Sequence, residues 1–412
     1  MIIISKKSDC CGCGACMQKC PKQCIKMVKD EQGFLYPETD IGLCIQCGLC
    51  ESVCPVINEG VEHEPLSIYA AKNKNEDDRY LSSSGGIFVL LANTILEKGG
   101  VVFGVRFDEN WHAVHSCVET KDHLRLFMGS KYVQSRTENT FKQTKDYLNK
   151  GCPVLYTGTP CQIAGLKNYL GKEYERLLTI EVLCHGVPSP RVWDDYLNTI
   201  RRPKGAISGE NTVLSSLNDA SSIEDISFRD KQNGWRKYGF VVRFSTDQRE
   251  GGKFGLPSIK KGKEMREYRQ DNLYMKSFLK NLCLRPSCFH CPSKGGKSRA
   301  DISLGDFWTI KKYCQGFDDD KGVTLVYLNS DKGVAAFHEI DCESIVLNNN
   351  VNYNRMFSES CNEKYSIDKF WEKYEKQGIE CVSGIVSSTQ KPLYLRVIKR
   401  IKKILNKYTL LL

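Results

Sequence analysis

The stretches CCGCGACMQKCP (10–21) and CIQCGLCESVCP (44–55) decide how the N-terminal end is read. Each spaces its cysteines as C-x2-C-x2-C-x3-C-P: Cys10, Cys13, Cys16 and Cys20 before Pro21, then Cys44, Cys47, Cys50 and Cys54 before Pro55. Thiolates are soft, strongly donating ligands that suit iron–sulfur cubanes. Two-residue gaps let three sulfurs of one tight loop wrap three corners of a cluster, and in two-cluster ferredoxins the fourth cysteine of each run ligates the other cluster. The expected sets are Cys10, Cys13 and Cys16 with Cys54, and Cys44, Cys47 and Cys50 with Cys20. Zinc prefers paired C-x2-C half-sites, which three cysteines in series do not offer. Cys11 and Cys24 fall outside the spacing and are not expected to be ligands. Two such clusters pass single electrons and carry no substrate specificity, so chemistry on a substrate has to lie further along.

The rest of the composition agrees with a redox protein. The chain has 412 residues, 41% hydrophobic and 26% charged, an ordinary globular mixture. That length implies about two to four domains. No apolar run approaches the ~18 residues of a bilayer-spanning helix. MIIISKK (1–7) lacks the cleavage site of a signal peptide, so a cytoplasmic location is expected. In such a compartment 21 cysteines argue for metal or redox chemistry over disulfides. Of the net charge of +10, seven come from Lys391, Arg396, Lys399, Arg400, Lys402, Lys403 and Lys407, in a stretch without acids. The remainder gives no reason to expect a nucleic-acid partner.

Past the cysteine-rich module (1–58), NEGVEHEP (58–65) reads as a linker. Strands and helices then alternate. SIYAAK, VVFGVRF (101–107), LLTIEVLCHG (177–186), YGFVVRFS and ADISLGDFW read as strands, GGIFVLLANTILEKGG as a helix, and PVLYTGTPCQIAGLKNYL (153–170) as strand, turn and helix. A further helix is expected around 268–281. Residues 205–225 and 247–265, rich in Gly, Ser and Lys, read as long surface loops. The fold class expected is α+β or α/β: a dicluster ferredoxin module, a mixed α/β reductase domain, and a C-terminal amphipathic helix.

Four further cysteines sit at turns: Cys161 in GTPCQIAGL, Cys184 in VLCHGVPSP, and Cys288 and Cys291 in RPSCFHC. Spacing alone leaves a zinc site, a third cubane and unrelated core thiols all open. The ordered motifs SSSGGIFVLLA, GSKYVQS, GTPCQIAGLK, CHGVPSP, FRDKQNGW, RPSCFHC and ADISLGDFW, across about residues 67–345, resemble the coenzyme F420 hydrogenase/dehydrogenase beta-subunit family. The resemblance divides the chain into a 2x[4Fe-4S] module (1–58), the family's N-terminal region (66–150), its C-terminal region (151–345) and a helical tail (346–412). It implies an FAD-containing reductase whose third [4Fe-4S] cluster is held by Cys161, Cys184, Cys288 and Cys291, with Cys283 a spare nearby. It also implies FAD contacts at Ser84, Gly85, Gly86, Gly129, Ser130, Lys131, Gly158, Thr159 and Asp306. By residue type alone Ser84-Gly85-Gly86 is also an ordinary capped helix start, and Lys131 an ordinary surface lysine. No G-x-G-x-x-G is present, which speaks against a Rossmann NAD site.

His185, beside Cys184, and Lys131 are the candidate catalytic groups, with Arg229, Lys231 and Trp235 as further candidates for lining a flavin or substrate cleft. A lone histidine is also commonly structural. In the tail, Tyr394, Val397, Ile398, Ile401, Ile404, Leu405 and Tyr408 recur at helical spacing opposite a basic face, the pattern of an interfacial helix drawn to anionic lipid. A helix packed on the body or on a partner has the same pattern. The resulting expectation is an iron–sulfur flavoprotein oxidoreductase with an organic substrate. Homologues of this layout accompany surface-polysaccharide genes, which points to a sugar precursor. The expected redox partner is a ferredoxin, F420 or a hydrogenase-like subunit. The alternatives are an F420 oxidoreductase, an electron-transfer subunit without its own substrate, and a zinc-binding interaction protein.

Overall fold

The computed structural model describes residues 1–201, 223–245, 263–363 and 365–388. Its N-terminal module pairs β1 (Ile25–Lys29) and β2 (Leu35–Thr39) as an antiparallel hairpin between the two cysteine runs. Each run turns into a short helix, Ala15–Lys19 or Leu49–Ser52. The two loops reverse in the same way. Gly12 and Gly14 have φ of +70° and +74°, and at the corresponding positions Gln46 and Gly48 have +54° and +73°. Two left-handed residues per loop curl its three cysteines about one point, and three of the four positions carry the residue that adopts this conformation at least cost.

The body is built on β3 (Ser67–Asn73), β4 (Val101–Phe107), β5 (Ala113–Val118), β6 (Val154–Gly158), β7 (Leu177–Val182), β8 (Ile223–Asp230), β9 (Gly239–Phe244), β10 (Lys263–Tyr268), β11 (Ile302–Asp306), β12 (Thr324–Leu328) and β13 (Cys342–Leu347). Eight of these form one mixed sheet in the order β13-β3-β12-β11-β7-β6-β4-β5. Its centre, β11-β7-β6-β4, is parallel, and antiparallel strands complete both sides. The central strands are continuous apolar runs because both faces are covered. Val102, Leu155 and Leu178 pack with the Ile87–Glu97 helix. Val101, Phe103, Val154 and Tyr156 pack on the other face with the Thr140–Asn149 and Pro160–Leu170 helices. A smaller antiparallel sheet, β10-β9-β8, closes an aromatic core of Trp193, Phe228, Phe240 and Tyr274.

The strands and helices expected between 67 and 186 occur where the periodicity puts them, and so do β9 and β11. Three expectations change. The helix around 268–281 is shorter, Leu273–Leu279, because Asn272 accepts from the Met275 N–H at 2.8 Å and fixes its start. The ends of the two expected loops, at Ile223 and Lys263, are already strand, since both pair in register with β9. Most of the remainder of those loops, like the 391–412 tail, lies outside the described residues. The 58–65 segment is laid down as a strap: the His63 N–H donates to the Gly295 carbonyl at 3.0 Å, and Gly60 leaves no room for a side chain against the Lys297 carbonyl. Among the described residues no helix is long and apolar enough to cross a membrane.

Gly85 is fixed by packing. A Cβ there would stand 2.5 Å from the Ala71 carbonyl oxygen and 2.7 Å from the Thr324 nitrogen, both backbone atoms of paired strands. Gly85→Ala is expected to destabilise the protein by about 1–3 kcal/mol, read as a lower midpoint of chemical denaturation.

Candidate functional site

The cysteine loops enclose two recesses. One is lined by Cys10, Cys11, Cys13, Cys16 and Cys54. The other is lined by Cys20, Cys24, Cys44, Cys47 and Cys50. Each recess therefore gathers three cysteines of one run and the last cysteine of the other, through which the two loops embrace. Burial pushes the Cys16 thiol up to about 12, with Cys10 and Cys54 adding to it. Burial also raises Cys54, against the N–H groups of Ile57 and Val56. At Cys20 burial is outweighed by the N–H groups of Cys24, Lys22 and Gln23 and by the Cys24 thiol, and the net shift is downward. Cys20 and Cys24 sulfurs stand 3.3 Å apart, which pushes Cys24 up to about 11. Cys24 thus abuts the second set without belonging to its spacing.

The two recesses differ in setting. Cys47 is exposed, and Ile41, Leu43 and Ile45 stand out into solvent on the same loop. The Cys10 recess instead faces the body. The Thr137 hydroxyl donates to the Cys13 carbonyl at 2.8 Å, and Gln134 Nε2 donates to the Cys11 carbonyl at 3.1 Å. Cys11, Cys13 and Ala15 share a core with Phe141, Ile163 and Leu166. Gly165 makes that approach possible, since a Cβ there would lie 3.0 Å from Cys13 Sγ.

Across this contact stand the four distant cysteines. β4, β6, β7 and β11 run parallel, so their carboxyl ends lie along one edge of the sheet, where open α/β sheets carry their sites. Cys161 follows β6 on the first turn of the Pro160–Leu170 helix, Cys184 follows β7, and Cys288 and Cys291 flank the end of the Pro286–His290 turn. They act on one another's ionisation. Cys184 is pushed up to about 12 by burial, then by Cys161 and Cys291. Burial, then Cys184, Cys161 and Cys291, raise Cys288, and Cys291 reaches about 11 by burial and Cys161. The Val187 N–H donates to Cys288 Sγ at 3.4 Å. Cys161 is raised first by neighbouring Cys11 and then by burial. Among the described residues no three His, Cys, Asp or Glu side chains are spaced to hold a single metal ion. A cubane, with a separate iron at each thiolate, needs them further apart.

Cys283 lies elsewhere. It is in the aromatic core, its thiol bonded to Ser277 Oγ at 3.4 Å and pushed up to about 11 by burial. Spacing missed Cys361, whose thiol donates to the Cys288 carbonyl at 3.2 Å beside Cys184 and Cys291. It also set aside Cys11, which bridges toward Cys161. Neither carries a local motif that a sequence search would find.

The other candidates are largely engaged within the protein. Ser84 Oγ donates to the Val323 carbonyl at 2.8 Å, and the Gly85 N–H donates to Thr324 Oγ1 at 2.8 Å. Gly86, at φ +81°, caps the Ile87–Glu97 helix. The Ser130 N–H and hydroxyl both reach Ser83 Oγ, at 2.6 and 2.8 Å, next to Gly129 at φ +76°. Gly158 leads into Thr159, which closes a capping box with Gln162. Asp306 takes two bonds from Arg229, at 2.7 and 3.1 Å, and one from Trp235 Nε1 at 3.1 Å. That guanidinium stacks on Tyr238 and Trp308, and Trp235 stacks on Trp308. Arg229, Trp235 and Asp306 are therefore bonded to one another, with Arg229 also donating to the Tyr132 hydroxyl and the Ser83 carbonyl. Lys231 gives its ammonium to the Arg79, Ser84 and Lys321 carbonyls and is lowered to about 7, by burial first and then by Arg229 and Arg79. His185 Nε2 meets Asn281 Oδ1 at 2.6 Å, which fixes the ring. Lys131 donates to the Met128 and Gly129 carbonyls at 3.1 and 3.2 Å, and burial lowers it to about 8. It has three protons for those two acceptors.

Comparison with known proteins follows the same division. Residues 151–351 match the family described as the C terminus of the coenzyme F420 hydrogenase/dehydrogenase beta subunit, and residues 9–58 match the 4Fe-4S dicluster domain. An F(420)H(2) dehydrogenase subunit of Methanosarcina mazei is 23% identical over 190 residues, 42% of this chain and 53% of that one, so the match spans about half of that relative. An uncharacterized ferredoxin of Methanocaldococcus jannaschii is 40% identical over 76 residues, 18% of this chain and 88% of that one. The F420-reducing [NiFe] hydrogenase complex of Methanosarcina barkeri includes a chain aligning at a TM-score of 0.42 and 16% identity, over 77% of this chain and 95% of that one. Residues 151–351 therefore carry the C-terminal region of the coenzyme F420 hydrogenase/dehydrogenase beta-subunit family, behind a ferredoxin-type 4Fe-4S dicluster domain at residues 9–58.

Proposed function

We propose that this protein is an iron–sulfur flavoprotein oxidoreductase that relays single electrons through three cluster sites toward an organic substrate. The observation that carries the reading is the seating of the Cys10 recess on the helix that bears Cys161, with Cys13 against Gly165 and Cys11 near enough to Cys161 to raise its thiol. In this reading Cys10, Cys13, Cys16 and Cys54 hold one cluster and Cys20, Cys44, Cys47 and Cys50 a second. Cys161, Cys184, Cys288 and Cys291 hold the third. Iron–sulfur clusters supply one-electron transfer, and the chain's part is to hold the thiolates and keep water from the inner two sets.

FAD is the second cofactor of the proposal, and it comes from the family resemblance. When bound it would supply the exchange between one-electron and two-electron traffic. Of the residues expected to meet it, Lys131 fits best, because its ammonium keeps a proton beyond its two carbonyl partners. Ser84–Gly86, Ser130 and Thr159 have polar groups already engaged, so they would shape the site more than bind phosphate. His185, anchored by Asn281, is the proposed proton donor. Exposed Cys47 within its apolar fringe favours a second element of the reading: a redox partner, ferredoxin or hydrogenase-like subunit, meets the protein at the outer recess. The cytoplasmic location, and a membrane contact through the 391–412 tail, remain parts of the proposal, that tail lying outside the described residues.

Anaerobically purified protein is expected to be brown and to contain about twelve irons, about four per cubane. Cys54→Ser or Cys184→Ser should each lower the iron count by about four, whereas Cys283→Ser should leave it unchanged; colourless protein without acid-labile sulfide would refute the reading. Flavin affinity is expected to fall as pH rises past about 8, where the Lys131 amine loses its proton. In Lys131→Met the affinity should be weaker and flat over that range, which fluorescence titration would measure. With reduced ferredoxin supplied, turnover of a sugar or lipid-linked sugar precursor of a surface polysaccharide is expected. Reduction of F420 in its place would favour the deazaflavin alternative.

A further inference from the structure

Arg285 is completely buried, yet among the described residues no carboxylate lies within ion-pair distance of it. The other deeply buried guanidinium groups have one, Arg79 with Asp319 and Arg229 with Asp306. The N–H groups of Arg285 go to neutral acceptors instead. Nε donates to the Cys10 carbonyl at 2.7 Å, Nη1 to Gln134 Oε1 at 3.2 Å and Nη2 to the Leu35 carbonyl at 2.9 Å. Its flat face lies over the Tyr36 ring, 4.3 Å from the centroid. Gly12 makes room for it: a Cβ there would lie 2.8 Å from Nη1. The ionisable side chains that bear on the guanidinium include Cys10, Tyr36, Cys11, Cys288 and Cys161. Its own backbone carbonyl accepts from the Cys288 N–H at 2.9 Å. One residue thus grips the first cysteine of the ferredoxin loop with its side chain and starts the turn that carries Cys288 with its backbone.

A permanent cation removed from water needs an anion, and among the described residues the groups bearing on it are cysteines on its two sides and Tyr36, whose phenol burial keeps neutral. We infer that Arg285 is the fixed counter-charge shared by the cluster on the Cys10 set and the cluster on the Cys161 set. This rests on the ligand reading given above. Each one-electron reduction makes a cluster one unit more negative, with no bond made or broken and no proton required. A cation held in a low-dielectric site favours that added charge strongly. Arg285 therefore raises the reduction potential of both inner clusters relative to the outer one, and draws the electron to the seam between module and body. It is a positioning charge, acting on the clusters' energies without touching substrate.

The test is an EPR-monitored redox titration of the full-length protein, prepared anaerobically and reduced with dithionite. In Arg285→Gln, two of the three cluster signals should move to more negative potential while the third stays in place, and Arg285→Lys should restore most of the shift. Should Arg285→Gln fail to fold, Gln134→Glu decides. It keeps the arginine and sets a carboxylate beside Nη1, so the charge is neutralised in place and the same two potentials should fall. Unmoved potentials at full iron content, or an equal shift of all three signals, would overturn the inference. Failure of the underlying ligand reading would show differently, as missing iron and missing signals in the unsubstituted protein.

Discussion

A thiolate taken out of water must be balanced by a cation or remain a thiol. Burial holds Cys16 and Cys184 at about 12 and Cys291 at about 11. At neutral pH these groups are protonated, inert and apolar unless iron replaces the proton. The requirement explains why the cysteines stand in sets. A lone buried thiol such as Cys283 settles among aromatic side chains and needs nothing more. Under the proposed ligation, four buried thiols gathered in one place are balanced by a shared cluster.

The same requirement shapes the contact between module and body. Docking is made by backbone carbonyls of the cysteine loop, taken by Thr137, Gln134 and Arg285, and by the close approach of Cys13 to Gly165. Hydrogen bonds to loop carbonyls fix the loop while leaving its sulfurs turned inward. Gln18 adds a reverse tie, accepting from the Phe141 N–H at 2.9 Å. The joint is therefore a rigid one, built from parts that also define the first recess.

Periodicity and spacing made much of this legible. VVFGVRF, PVLYTGTPCQIAGL and LLTIEV announce buried strands through continuous apolar runs, and the two cysteine runs announce their recesses through spacing that loop geometry imposes. What stayed hidden depends on long-range pairing. That β3 and β13 join the far side of the sheet, or that Ile223 and Lys263 begin strands, follows from partners distant in sequence. Ser84, Gly85 and Thr159 sit in motifs yet serve a strand contact and a helix cap. A short polar motif looks the same whether its hydrogen bonds go to a ligand or to its own chain. Nothing in RPSCFHC signals that Arg285 is buried; only the fold shows it.

Position along the chain and position along the electron route do not coincide. The outer recess uses cysteines from residues 20 to 50, and the inner one joins residues 10 to 16 with 54, so the loops cross and the inner recess is closed by both ends of the module. That crossing sets the first run against the body while the second run, with Cys47, stays in solvent. Had each run closed on its own fourth cysteine, both recesses would be self-contained loops free to sit side by side against the sheet. Because each recess borrows from the other run, the two are locked end to end, and only one can touch the helix that carries Cys161. Under the proposed ligation an electron from a protein partner therefore has one way in, through the recess with the exposed cysteine, and one way on, past Arg285. In the proposed relay, the linear order follows from two exchanged cysteines, Cys20 and Cys54, more than from any feature of the larger domain.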